Sequence, residues 1–213
     1  MRDGPILCLV TDRRNVRGPL EDAVGAAVAG GVDWVQLRER DLEGRALCEL
    51  AERVVTAARE AARRRGGTVR VLINRRVDVA LAVAADGVHL GFDAMPVAQA
   101  RSLLGAQGWI GVSAHTHEEV RAAAADGADY AHLAPIFAPL SKPLERAPLG
   151  IAALARCGGD IPLLAPGGIE AANAASVIRA GASGVAVTGS VLAADDPGAA
   201  ARALRLTLDG VSA

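Results

Sequence analysis

Short apolar runs recur along this chain at intervals of about 25 residues, each ending in polar or glycine residues and most followed by a stretch of helical periodicity. The runs cover residues 6–10, 33–37, 69–73, 87–90, 109–112, 129–133, 161–165 and 184–187. Continuous apolar runs of that length suit strands buried on both faces. Helical patterns fall at residues 20–29, 44–65, 77–84, 96–104, 118–125, 171–180 and 197–208. Strands alternating with helices imply right-handed βαβ units and a parallel sheet. About eight such units close a (β/α)8 TIM barrel, and 213 residues sit near the lower edge of that α/β fold's range. An open doubly wound sheet is the alternative. It usually has fewer strands, and the turn after the first run, Asp12-Arg13-Arg14-Asn15, lacks the glycines of a dinucleotide-binding version. No linker, sequence repeat or low-complexity segment divides the chain, so residues 1–213 read as one barrel domain.

Composition narrows the partners. Lys and Arg total 23 against 24 Asp and Glu, a formal net charge of -1, so an anionic ligand must be held locally and not by the whole molecule's field. The aromatic supply is Trp34, Phe92, Trp109, Tyr130 and Phe137, too little for a nucleic-acid reader built on stacked rings. Cys8, Cys48 and Cys157 are odd in number and widely spaced, which argues against a disulfide framework or a zinc knuckle and for a reducing compartment. The N-terminal apolar run is too short for a signal peptide or a membrane span. The expectation is a cytoplasmic protein with a small-molecule partner, neither nucleic acid nor membrane, with a homo-oligomer left open.

In TIM barrels the chemistry sits at the C-terminal ends of the strands. That rule selects Asp12, Gln36, Arg38, Arg40, Asn74, His89, Gly91, Ser113, His115, the irregular stretch 134–150 with Ser141 and Lys142, Gly167-Gly168 and Thr188-Gly189. Arg70, Asp86 and Asp129 fall at the opposite mouth and read as solvated caps and turns. Pro166-Gly167-Gly168-Ile169 with Val187-Thr188-Gly189-Ser190 is the strongest local signal, since glycines after the last two strands let a phosphate approach backbone N–H groups. A plain strand-to-helix turn is the simpler reading of the first pair alone. Arg38 and Arg40 share one face of an extended segment and either clamp an anion or belong to a surface charge cluster. Lys142 is either a mobile cationic lid or a solvated loop lysine. His115 is the candidate for proton transfer, with Ser113 turned to the same side. His117 reads as a helix cap or a solvated residue, and His89 and His132 read as satisfied interior histidines. The four lack metal-ligand spacing, so no histidine metal site is expected.

Six blocks then carry a resemblance. Val35-Gln36-Leu37-Arg38-Glu39-Arg40, Leu72-Ile73-Asn74-Arg75-Arg76-Val77-Asp78-Val79-Ala80, Asp86-Gly87-Val88-His89-Leu90-Gly91, Gly111-Val112-Ser113-Ala114-His115-Thr116, Pro135-Ile136-Phe137 with Ser141-Lys142, and Pro166-Gly167-Gly168-Ile169 stand in a fixed order and spacing. They resemble the thiamine phosphate synthase/TenI superfamily over essentially the whole chain. The resemblance implies one of two activities on the barrel. A synthase joins a pyrimidine methyl diphosphate to a thiazole phosphate and releases pyrophosphate, with Mg²⁺ neutralising the leaving group. A tautomerase aromatises a carboxylated thiazole phosphate by proton transfer and needs no metal. In the synthase pattern two aspartates hold Mg²⁺, one following the asparagine after the third strand and one just after the fourth. Here those positions are Arg75 and Ala94. A guanidinium repels the ion, a methyl group offers it nothing, and Asp93 is one residue out of step. The diphosphate loop, Pro139-Leu140-Ser141-Lys142, keeps one hydroxyl and the cation where the synthase pattern has two threonines before a lysine.

These departures lead to the expectation of a TenI-like thiazole tautomerase of thiamine biosynthesis, an isomerase without metal or other cofactor. In that reading His115 shuttles the proton beside Ser113. Gln36, Arg38, Arg40, Asn74, Ser141 and Lys142 bind substrate, and Gly167, Gly168, Thr188 and Gly189 hold the phosphate. The alternative is a thiamine phosphate synthase with an altered metal site, the one case that calls for Mg²⁺, in which Arg75 partly replaces the ion. A non-catalytic member that keeps the phosphate pocket is the second alternative.

Overall fold

The computed structural model describes residues 4–138, 147–156 and 161–211. Its eight strands are β1 (Ile6–Val10), β2 (Trp34–Leu37), β3 (Arg70–Asn74), β4 (Gly87–Leu90), β5 (Trp109–Ala114), β6 (Tyr130–Leu133), β7 (Leu163–Pro166) and β8 (Gly184–Val187). Each pairs in parallel with its sequence neighbours, and β8 pairs with β1, which closes the expected barrel. The helices are α1 (Leu20–Ala29), α2 (Gly44–Arg64), α3 (Val77–Ala82), α4 (Val97–Leu104), α5 (His117–Ala125), α6 (Ala171–Arg179), α7 (Gly189–Leu192) and α8 (Pro197–Asp209). Short 3-10 turns at Arg13–Asn15 and Ile151–Arg156 and the four-residue α7 are additions to the sequence reading. In α2 the buried residues, from Leu47 and Leu50 through Val54 to Ala62, recur every three or four positions and form the face turned to the barrel. No helix among the described residues is long and apolar enough to cross a membrane.

The inside of the barrel has two unlike halves. Towards the strand entrances Trp34 meets Trp109 and Tyr130 edge-on, with ring centroids 5.5 and 5.0 Å apart. Tyr130 occupies the space a side chain on Gly111 would need, where a Cβ would sit 1.9 Å from its ring. Three of the chain's few aromatic rings are thus spent inside the barrel. Arg70 is not the solvated cap that its position suggests: its guanidinium lies 3.5 Å from the Trp109 ring centroid and 4.9 Å from that of Trp34, and burial lowers its pKa. Towards the strand exits the lining changes to Gln36, Asn74, His89, Ser113 and His132.

At the entrances one local structure occurs four times. Helices α1, α3, α5 and α6 each stop in a residue of positive φ, namely Gly31 (119°), Ala84 (49°), Gly127 (91°) and Gly181 (111°). The next residue closes a Schellman turn, as Val32, Ala85, Ala128 and Ala182 donate their N–H to Ala27, Ala80, Ala123 and Val177. The residue after that is Asp33, Asp86, Asp129 or Ser183. Each side chain accepts the N–H of a residue on the preceding strand, Leu7, Val71, Ile110 and Leu163 respectively, at 2.7 to 3.1 Å. Each backbone N–H donates to the carbonyl of that same residue, so the contact is a two-point clamp. Asp86 and Asp129 are therefore ties between strands and not merely solvated turns, and a short repeat, invisible as sequence identity, does run through the chain. Arginines from the outer helices complete three of the clamps: Arg205 to Asp33 at 2.9 Å, Arg59 to Asp86 at 3.5 Å and Arg101 to Asp129 at 2.6 Å.

Two stability measurements follow from this repeat. Ala84 is the one non-glycine at its turn position and is exposed. Ala84→Gly is expected to stabilise the protein by about 1 kcal/mol, a rise in Tm of roughly 2–4 °C, by relieving the left-handed conformation. A lower Tm would show that the alanine is unstrained. Asp33→Ala removes the acceptor of Leu7 and a partner of Arg205, whose side chain is only 6% exposed. Denaturant unfolding should report a loss of about 3 kcal/mol, and a loss below about 1 kcal/mol would mean the clamp is incidental.

Candidate active site at the strand exits

The floor of the site is polar but uncharged. Gln36 Nε2 donates to Asn74 Oδ1 at 3.0 Å, which fixes both amides, while Gln36 Oε1 is buried without a partner among the described residues. His89 is fully engaged, with Nδ1 3.0 Å from Tyr130 Oη and Nε2 3.0 Å from Ser113 Oγ. His132 lies against His89 with ring centroids 4.3 Å apart and the planes tilted by 38°, yet its Nε2 has no partner among the described residues. The expectation of two satisfied interior histidines is thus met by His89 and corrected at His132. Burial pushes the His132 pKa down to about 3, and burial together with His132 and Arg38 holds His89 well below the ordinary imidazole value. Strand alternation placed both rings inside, but nothing in the sequence marked which one lacked a partner.

Cations stand at the rim. Between Arg38 and Arg40, Glu39 turns the other way, is buried, and accepts from Thr11 Oγ1 at 2.7 Å and from the Arg13 backbone N–H at 3.1 Å. Thr11 Oγ1 in turn accepts the Arg38 N–H at 2.9 Å. This anchor fixes the backbone from which Arg38 and Arg40 project. Neither forms a salt bridge with the described residues, and Arg38 is half-buried, with its pKa lowered by desolvation and by Arg40. The carboxylates of Asp12 and Glu39 act on Arg38 only from beyond salt-bridge distance, so it is a desolvated cation that an anionic ligand would stabilise further. Asp12, by contrast, is taken by Arg14 at 2.8 Å, whose hydrogen bonds lower its pKa.

Ser113 is brought to His89, as above, while His115 is held at the top of β5. Its Nδ1 lies 2.7 Å from the Ala134 carbonyl, which only accepts, so Nδ1 carries a proton. Its ring stacks on Phe92 at 4.2 Å, and Phe92 is 58% exposed. Beside them, Arg75 adopts φ 66°, and its Nη2 lies 2.9 Å from Asp93 Oδ2 and 3.2 Å from the Asp93 carbonyl. This is the place where the resemblance would seat Mg²⁺. The carboxylate there is bound to a guanidinium, and the described residues contain no group of three His, Cys, Asp or Glu side chains able to hold a metal. The residues do not fit the ion.

At the other side of the mouth, Gly167 and Gly168 have φ of 104° and 60° and lie under the loop after β6. A Cβ on Gly168 would meet the Ala138 carbonyl at 2.4 Å, and one on Gly167 would meet Pro135 Cβ at 2.8 Å. Close chain approach therefore requires both glycines. The first turn of α6 is capped by Glu170, whose backbone N–H donates to Asn173 Oδ1, and Asn173 Nδ2 donates to the Gly168 carbonyl at 2.8 Å. After β8, Thr188 and Gly189 lead into α7, where Ser190 Oγ is buried without a partner among the described residues. Ser190 belongs to the Val187–Ser190 motif, yet the sequence assigned it no role of its own; its place one step beyond a glycine turn on the last strand is the signal for one. Ser141, Lys142 and Cys157 lie outside the described residues. Cys8 is a buried free thiol in the barrel interior and Cys48 is also free.

The neutral floor makes stability pH-dependent. Below about pH 6.5 the unfolded chain protonates these histidines, whereas folded His132 stays neutral down to about pH 3. Stability is thus full above pH 6.5 and is lost as pH falls towards 3, by at most about 1.4 kcal/mol per pH unit for each ring. Denaturant unfolding between pH 7 and 5 should show this slope, and His132→Gln should make it shallower. An unchanged slope would show that the ring titrates normally.

The chain is 50% identical over 202 residues to a thiamine-phosphate synthase of Chloroflexus aurantiacus, covering 93% of this chain and 90% of that one. It is 44% identical over 199 residues to a thiamine-phosphate synthase of Moorella thermoacetica, covering 92% of each. Among solved structures, the thiamine phosphate pyrophosphorylase from Pyrococcus furiosus superposes with a TM-score of 0.84 at 31% identity, over 98% of this chain and 97% of that one. A 3-hexulose-6-phosphate synthase, at 22% identity and a TM-score of 0.68, shares the fold alone. Relatives at 41% to 50% identity bearing the synthase name overturn the expectation of a metal-independent thiazole tautomerase: they point to a transferase and not an isomerase. The proton shuttle assigned to His115 belonged to that expectation and goes with it. The family profile described as thiamine monophosphate synthase matches residues 7–191, and the chain belongs to that family.

Proposed function

We propose that this protein joins a pyrimidine methyl diphosphate to a thiazole phosphate, forming thiamine phosphate and pyrophosphate. The observation that carries the reading is the match, over nine-tenths of both chains, to relatives named for that product. The site's division into a neutral floor and a cationic rim supports it.

The pyrimidine ring rests on the floor, where the unpartnered Gln36 Oε1 and His132 Nε2, with Asn74 and Ser113, meet a heterocycle that carries both donors and acceptors. Rings that stay neutral recognise by hydrogen-bond direction and do not stabilise a full charge on the ring's own side. The diphosphate extends to the rim, where Arg38 and Arg40 neutralise it, with Ser141 and Lys142 of the proline-rich loop as further partners implied by the resemblance. The thiazole phosphate sits at the turns after β7 and β8, against Gly167, Gly168, Thr188, Gly189 and the free hydroxyl of Ser190. In the reaction the methylene C–O bond breaks, its electron pair leaves on the diphosphate oxygen, and the thiazole nitrogen lone pair forms the new C–N bond. Holding both partners in line is the main catalytic contribution of the barrel, and cations at the leaving oxygen supply the electrostatic part. No step passes through a divalent cation, because the residues at that place do not fit one.

The purified protein given both substrates should form thiamine phosphate, read by chromatography. Thermal stabilisation by thiazole phosphate without any product would instead make it a binding protein. Arg38→Ala should raise the KM for the pyrimidine diphosphate at least tenfold. Its stability should stay within about 0.5 kcal/mol or rise, since a half-buried cation with no salt bridge among the described residues is lost. Destabilisation with an unchanged KM would make Arg38 structural.

A further inference from the structure

The disagreement between the site and a metal ion has a constructive side. Arg75 is one of two non-glycine residues with a left-handed backbone among the described residues, and it stands immediately after Asn74 of the floor. Its own N–H donates to the His89 carbonyl at 2.9 Å, which ties the residue to the exit of β4. The side chain crosses towards the loop after β4, where both of its contacts, to the Asp93 carboxylate and carbonyl, are made by Nη2 alone. Nε and Nη1 keep their donors free of partners among the described residues. The backbone is therefore held in a conformation that glycine would adopt more readily, and what it presents at the mouth is a guanidinium with unused donors.

We propose that Arg75 is a catalytic residue that binds the departing diphosphate in place of a divalent cation. Asp93 acts as the positioning residue that holds the guanidinium over the gap between β3 and β4, and synthesis runs without metal. The proposal rests on the synthase reading. When the methylene C–O bond breaks, negative charge grows on the diphosphate oxygen. Arg75 meets it from the β3–β4 side, while Arg38 and Arg40 meet it from the exit of β2. A guanidinium offers a planar set of donors with a permanent charge, so it takes over neutralisation without the octahedral shell of oxygen ligands that Mg²⁺ requires.

Arg75→Gly is the variant of choice, because glycine suits φ 66° and the protein should be at least as thermally stable as the wild type. In buffer with EDTA, calorimetric titration with inorganic pyrophosphate should show wild-type binding and a loss of affinity of at least tenfold in Arg75→Gly. In the same buffer the wild type should keep forming thiamine phosphate and the variant should lose most of that rate. Arg75→Asp, which also tolerates the left-handed region, should bind pyrophosphate only when Mg²⁺ is supplied. Equal pyrophosphate affinity in wild type and Arg75→Gly would overturn the proposal, as would wild-type synthesis abolished by EDTA and restored by Mg²⁺. Absence of product both with and without Mg²⁺ would instead overturn the synthase reading, and the pyrophosphate titration would still decide whether Arg75 binds the anion.

Discussion

The structure hangs on the two-point clamp between a short polar side chain and the preceding strand. In a parallel sheet each strand entrance begins with an N–H that has no ladder partner, and inside a barrel such a group has little access to water. Asp33, Asp86, Asp129 and Ser183 solve this at alternate strand pairs, in the same way each time, and the Schellman turn before each one sets the angle at which helix gives way to strand. Register is thereby settled at the entrances. The exits carry no such obligation, so polar residues there are free to face a ligand.

The polar lining would be a liability without the arrangement around it. A buried group that lacks a partner costs free energy comparable to a lost hydrogen bond, and among the described residues the floor tolerates two, on Gln36 and His132. It tolerates them because the surrounding atoms are fixed: Asn74 pins one amide, and Tyr130 and Ser113 pin His89 against the second ring. At the rim the buried Glu39, paired with Thr11 and Arg13, does for Arg38 what Asn74 does for Gln36. In each case a satisfied neighbour holds an unsatisfied one in place.

Much of this was legible in the sequence. Continuous apolar runs located all eight strands within about two residues, and the first helix was read at its observed bounds. Arg38, Asn74 and Ser113 were placed at the exits by strand position alone. What the sequence hid was long-range. That Asp33 reaches Leu7, or that Arg70 lies on two indoles, depends on where the closed barrel brings residues far apart in the chain. The reaction was misjudged for a different reason: two substitutions at expected metal positions were read as a change of chemistry. Charge at a leaving group can be met by more than one kind of cation, so substitutions at Arg75 and Ala94 do not by themselves decide the reaction class, which the rest of the chain carries.

The aromatic plug of Trp34, Trp109 and Tyr130, topped by Arg70, closes one end of the barrel. A ligand that reaches Gln36, Asn74, His89, Ser113 and His132 therefore comes from the strand exits. Under the proposed function, whatever lodges on the floor has to pass the rim. The coupled product, seated there by its pyrimidine ring, leaves past the rim that holds the pyrophosphate. Three rings at the entrances thus set the side from which the floor is reached.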